Sequence, residues 1–190
     1  SKAIRHAKNE FDELTAYAHQ LDQIEQIQKW DATYYSEKLK KEKFAIDDEL
    51  LRPYFQLENV IDGVFKTAQK LFGITFKQRN DIDIYHEDVI TYEVLSDKNE
   101  HLAVFYADFF PRPGKRQGAW MTSFRSQKIE DNRNIRPHVS IVCNFTKPTN
   151  ELPSLLSFQE VTTLFHEFGH ALHGIFANGN YASLSGTSVF

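Results

Sequence analysis

The sequence predicts an α+β fold, mainly helical, with a small antiparallel-type sheet leading into one helix that carries chemistry. Three observations predict it. Apolar residues recur three and four apart through residues 1–73, the spacing of amphipathic helices. Segments rich in β-branched and aromatic residues then fill 74–150. Helical spacing returns over 157–177, behind a Ser157-Phe158-Gln159-Glu160 entry signal. The chain has 190 residues, 41% of them hydrophobic, enough to bury the core of one ordinary domain.

In the first part, Phe11, Leu14, Tyr17, Ala18, Leu21, Ile24 and Ile27 form a helical stripe, which Trp30, Tyr34, Tyr35 and Leu39 continue. Lys38, Lys40, Lys41 and Lys43 read as a solvated helix face rather than a binding patch. Asp47 and Asp48 stand where a new helix would be capped, and Pro53 interrupts soon after. Residues 57–72 form another amphipathic helix, with Val60, Ile61, Val64, Phe65, Ala68 and Leu71 on one stripe. Gly73 closes it as a left-handed cap. Strands are expected at 74–76, 88–95, 101–110, 118–124 and 138–145, with Asp97-Lys98-Asn99 as a hairpin turn. Pro111, Pro113 and Gly114 mark one loop, and residues 130–136 another. Pro148 and Pro153 lead into the final helix. Repeats and low-complexity segments are absent.

A formal net charge of -4 argues against an electrostatic nucleic-acid binder. No apolar run approaches the roughly 18–20 residues that a membrane span needs. The single cysteine, Cys143, excludes an internal disulfide and fits a reducing, cytoplasmic setting. The chain opens on Ser1-Lys2-Ala3-Ile4 without a methionine and closes on the apolar Ser188-Val189-Phe190. We expect a piece of a longer protein, truncated at both ends.

The last helix carries His166-Glu167-Phe168-Gly169-His170. Val161, Phe165, Phe168, Leu172 and Ile175 lie along one face, and His166, His170 and His173 along another. A helix this apolar is expected to be buried on most sides, so inward-facing histidines need partners. Residues four apart sit one turn apart, so His166 and His170 reach one cation together. Zinc suits them, because it takes imidazole nitrogens and carboxylates in a tetrahedral shell. Glu167 follows His166 by about 100° of helical rotation, beside the metal rather than on it, where it can take a proton from water. Zinc brings the pKa of such a water toward neutrality. This is the logic of the H-E-x-x-H motif. A pair of satisfied core histidines is the structural alternative. His173 reads as a polar neighbour, with support of a ligand as its alternative. Gly169 costs about 1 kcal/mol against alanine in a helix interior, and either admits a close neighbour or is simply tolerated.

Residues 155–173, LLSFQEVTTLFHEFGHALH, resemble the thimet oligopeptidase, oligopeptidase A and peptidyl-dipeptidase family of zinc metallopeptidases. Upstream, Val139-Ser140, the run from Cys143 to Pro148 and Gly114-Lys115-Arg116-Gln117-Gly118-Ala119 are similar to that family too. Pro53-Tyr54-Phe55, Gly63-Val64-Phe65 and Leu71-Phe72-Gly73-Ile74 follow in order. NRNIRPH (132–138) and SLSGTSV (183–189) resemble most the bacterial peptidyl-dipeptidases. The resemblance implies a zincin-like sheet beside the zinc helix and cleavage of short peptides in a deep channel between largely helical halves. Peptidyl-dipeptidases release C-terminal dipeptides, whereas oligopeptidases cut internally. By the resemblance, His166 and His170 match the zinc ligands and Glu167 the general base. The family's third ligand, a glutamate, and its tyrosine and histidine donors fall past Phe190. We therefore expect this chain alone to bind zinc weakly and to be inactive, and its parent to be active on short peptides.

Other assignments follow from the residues. The strand 138–145 is the best candidate for pairing with an extended peptide, and an ordinary sheet strand is the equal alternative. Arg112, Lys115 and Arg116 read as a solvated loop, with contact to a substrate carboxylate as the alternative. Asn178-Gly179-Asn180 is expected to end the helix, with Gly179 free to adopt positive φ. A non-catalytic peptide- or protein-binding module is the rival function. The oligomeric state stays open.

Overall fold

In the computed structural model, which describes residues 2–45 and 48–188, the first stretch of helical spacing is broken in two. The chain divides into two units, Ser1–Leu50 and Leu51–Phe190. In the first, α1 (Lys2–Asp22) and α2 (Ala32–Phe44) are separated by a non-helical stretch. Gln23 sits at φ 56 and bonds back to the His19 carbonyl at 2.9 Å, which ends α1. The expectation that Trp30 continues the helix is corrected: it lies outside both helices and is exposed. The apolar spacing persists through the break because Ile24 and Ile27 fold back onto Ala18 and Tyr35. The Tyr35 hydroxyl donates to Asp22 at 3.0 Å across it. Lys43 pairs with Glu13, and Lys38 lies 4.6 Å over the Tyr34 ring, so the lysine face is solvated but locally paired. The expected cap at Asp47 and Asp48 falls outside the described residues and side chains. A single turn, α3 (Asp48–Leu51), runs into a 3-10 turn, Arg52–Tyr54, that holds Pro53.

In the second unit the 3-10 turn is followed by α4 (Leu57–Phe72), whose Leu57, Val60, Val64 and Ala68 are buried. Gly73 ends it at φ 71, its N–H bonding Gln69 O at 2.8 Å. Leu71 departs from the expected stripe and is exposed. Among the described residues the strands that follow are β1 (Thr75–Arg79), β2 (Ile90–Leu95), β3 (His101–Asp108), β4 (Trp120–Arg125), β5 (Lys128–Glu130), β6 (Arg133–Ile135) and β7 (His138–Val142). The last helix is α5 (Phe158–Ile175). The mixture of helices and sheet is α+β.

The main sheet is not purely antiparallel. Its order is β1-β2-β3-β7-β4, and β3 runs parallel to β7, Val104 facing His138. The chain leaves β3 for the edge as β4, then returns to insert β7 between them. Parallel neighbours need such a long crossover, and residue periodicity does not report the order in which strands pair. The burial of β3 agrees, because Ala103 through Asp108 are buried without alternation, as in a strand covered on both faces. Residues 130–136 are not a plain loop either. β5 and β6 form a hairpin whose Asp131 and Asn132 sit at φ 49 and 58, the type I′ geometry that this dipeptide tolerates.

The core lies between this sheet and the helices α4 and α5. Phe65 stacks on Phe76 at 4.0 Å, and Phe168 of α5 packs on Phe65, Phe76 and Phe105 at 6.1, 5.7 and 5.9 Å. Phe168 thereby fixes the rotation of α5. The bridge Gln56↔Leu155 and the bond from Leu156 N to Phe55 O (2.8 Å) fix its entry.

Candidate metal centre

The N-terminus of α5 forms as its sequence predicts. Ser157 Oγ accepts the Glu160 N–H at 3.2 Å, and Glu160 Oε2 accepts the Ser157 N–H at 2.7 Å. This reciprocal capping box occupies Glu160 at the helix entry. Replacing Ser157 by alanine removes one half of the box. It is expected to cost about 1 kcal/mol, read as a lower urea midpoint.

Core packing over about four turns sets the facing of the helix. Val161, Leu164, Phe168, Ala171 and Ile175 are buried against the sheet. Phe165, expected on that face, is exposed, and Leu164 takes its place. Near its end the helix comes very close to β7. A Cβ on Gly174 would lie 3.2 Å from Val139 Cγ2, and Gly174 Cα lies 3.3 Å from where a Cβ on Gly186 would be. Glycine at both positions lets helix, strand and returning chain touch.

His166 and His170 therefore face away from the core and are exposed, not turned inward as the apolar sequence suggests. They nevertheless converge. Their Nε2 atoms are 3.2 Å apart, and the rings are 4.8 Å apart at 86°. Two nitrogens about 2.0–2.1 Å from one tetrahedral zinc stand roughly 3.3–3.4 Å apart, so the pair fits two corners of such a shell. The same separation suits one ring donating to the other without metal. Among the described residues no group of three His, Cys, Asp or Glu could hold an ion. Glu167, between His166 and Phe168, is half-buried, and its side chain makes no hydrogen bond or ion pair among the described residues. His173 is exposed, and the space a Cβ at Gly169 would meet is open. Burial pushes the Cys143 thiol up to about 12, so it is inert as a nucleophile.

Other expected site residues have different places. The strand β7 is interior, so it has no free edge for a peptide; the edges of the sheet are β1 and β4. Arg112 and Lys115 are not a solvated loop, nor are they free for a substrate. Both hold the buried carboxylate of Asp108, Arg112 at 2.7 and 2.9 Å and Lys115 at 2.9 Å. Arg116 lies 4.7 Å over the Trp120 ring. Gly179 is not at positive φ. The buried amide of Gln127 holds it instead, an anchor that sequence reading missed because a lone glutamine gives no pattern.

All 190 residues match the model of Peptidase family M3. The chain belongs to peptidase family M3. It is 48% identical over 164 residues to a dipeptidyl carboxypeptidase of Salmonella typhimurium, covering 86% of this chain and 24% of that protein. It is 45% identical over 182 residues to the dipeptidyl carboxypeptidase of Escherichia coli, covering 94% and 26%. Oligopeptidase A of Escherichia coli is 38% identical over 188 residues, covering 98% and 28%. The M3 chain thus spans about a quarter of the length of these curated relatives. No helix among its described residues is long and apolar enough to cross a membrane.

Proposed function

We propose that this M3 chain supplies two zinc ligands, His166 and His170, and the general base, Glu167, of a metallopeptidase acting on short peptides. The observation that carries the reading is the 3.2 Å approach of the two Nε2 atoms on successive turns of one helix. Their donor chemistry, two neutral imidazoles, is what zinc takes. When bound there, zinc acts as a Lewis acid toward water and the scissile carbonyl. His166 and His170 hold the ion. Glu167 Oε takes the proton of the attacking water and delivers it to the leaving amine. An extended peptide pairs through its main chain with the outer edge of β4, which packs beside α5. Release of C-terminal dipeptides is favoured over internal cleavage, because identity is higher to the two dipeptidyl carboxypeptidases than to oligopeptidase A. The cytoplasm is the proposed location.

By the same reading the third ligand is a glutamate following this chain in the full-length protein. Two imidazoles leave half of a tetrahedral shell to water, and no described residue orients their Nδ1 atoms. Calorimetric titration of the 190-residue chain with zinc should therefore show no tight one-to-one site, and peptide turnover should be negligible. The full-length protein should hold one zinc and cleave short peptides. A full-length protein that stays inert with zinc added would favour the rival, a non-catalytic peptide-binding module.

A further inference from the structure

The hairpin β5-β6 and its flanks grip the segment that leaves α5. Gln127, 1% exposed, uses its side-chain amide as a peptide group would. Its Oε1 accepts the Gly179 N–H at 2.7 Å and its Nε2 donates to Gly179 O at 2.9 Å. The same amide donates to Asn134 Oδ1 at 2.9 Å and accepts from the Ser185 hydroxyl at 3.2 Å. All four hydrogen-bonding positions of the amide are thereby used. Asn134 in turn donates to Asn178 Oδ1 at 3.1 Å, and Ile129 N–H bonds Asn180 O at 3.2 Å. Arg136 donates to Ile175 O and Ala177 O at 2.7 and 3.0 Å, closing the end of α5. The gripped segment then turns back onto the helix, with Ser185 buried and Gly186 at φ 62 beside Gly174.

A short loop on the surface needs no such grip to satisfy its backbone, which water would serve. Here a buried amide is fully paired, an arrangement that specifies a single path. We propose that Gln127 is a positioning residue for the metal centre: it fixes the path of residues 178–188, which return onto Gly174 of α5, and so holds the last turns of the helix that carries His166 and His170. The proposal rests on the zinc reading above.

The test uses the full-length, zinc-loaded protein with Gln127→Met, which keeps the volume and removes all four bonds. Three quantities are read: zinc loss to an excess chromogenic chelator, the visible spectrum of the cobalt-substituted protein, and the melting temperature of the metal-free protein. The expected result is zinc loss about 10–100-fold faster, the range for residues that orient ligands, with a changed cobalt spectrum and kcat lowered more than KM is raised. A folded Gln127→Met protein with wild-type zinc loss and cobalt spectrum overturns the proposal. If Gln127→Met does not fold, the exposed Asn134→Ala decides. It removes the bonds to Gln127, Asn178 and Arg136, and several-fold faster zinc loss supports the proposal whereas unchanged loss overturns it. A wild-type protein that holds no zinc overturns the metal reading itself, an outcome distinct from neutral variants of a zinc-holding protein.

Discussion

Replacing Glu167 by glutamine in the full-length protein is expected to lower kcat for peptide hydrolysis by about 10²–10⁴-fold while zinc stays bound. Glutamine keeps the size and reach of the side chain and loses only its capacity to accept a proton. The neighbours argue that little else changes. Phe168, the next residue, is anchored among Phe65, Phe76 and Phe105 and fixes the helix rotation. The Glu167 side chain has no hydrogen bond or ion pair among the described residues for the amide to break. His166 and His170 remain as they are, so metal content measured on the purified protein should match wild type. The contrast is His170→Ala, which leaves one imidazole and should lose both zinc and turnover. A Glu167→Gln protein with wild-type kcat would remove this carboxylate from the chemistry. One that loses its zinc would make Glu167 a ligand or a structural prop instead of a base.

The approach of His166 to His170 was legible because it is local. One turn of helix brings His166 and His170 together whatever surrounds them, and Ser157 and Glu160 cap that helix through contacts three residues apart. The limits of α4 were legible for the same reason, since Gly73 closes it in the conformation glycine favours. What depended on distant residues was not. The periodicity of β3 and β7 is that of any strand, and only the path of the chain between them makes the pair parallel. Asp131-Asn132 carried a hairpin signal that stood between strands of three residues each, too short to register as strands. The facing of α5 was misjudged at Phe165 because both faces hold aromatic residues, and only the sheet decides which is covered. Lys115 and Arg112 looked like surface cations because their partner, Asp108, lies at the end of an apolar strand with no sign that it is buried.

That partner carries the second large effect. Asp108→Asn is expected to destabilise the fold by about 3–5 kcal/mol, measured by urea unfolding of the 190-residue chain. Asp108 is 1% exposed, and its carboxylate takes bonds from Arg112, Lys115 and the Tyr85 hydroxyl, the last at 3.0 Å. The Lys115 side chain is itself only 3% exposed. Neutralising the aspartate thus leaves a buried ammonium whose remaining partners are the carbonyls of Asp108 and Phe110, at 3.1 and 2.7 Å. Removing the two buried charges should be milder: Asp108→Leu with Lys115→Met should recover much of the loss, because the Arg112 that remains is 19% exposed and can reach water, whereas the lysine cannot. Protons should act as the single substitution does. Burial alone raises the Asp108 pKa, but the bonds from Arg112, Lys115 and Tyr85 outweigh it and hold the carboxyl below its ordinary value. A group depressed by folding contributes stability above its unfolded pKa, about 4, and loses it as pH falls through the folded value. The wild-type urea midpoint should therefore fall more steeply with acid below about pH 4 than that of the double variant. The site feels this network through the backbone: Cys143 N–H bonds Asp108 O at 2.8 Å and Phe145 N–H bonds Phe109 O at 2.8 Å. These bonds fix the exit of β7 on its way to α5, while Lys115 pins the loop that delivers β4 to the sheet edge. Equal acid sensitivity in wild type and double variant would show that the pair contributes nothing to folding.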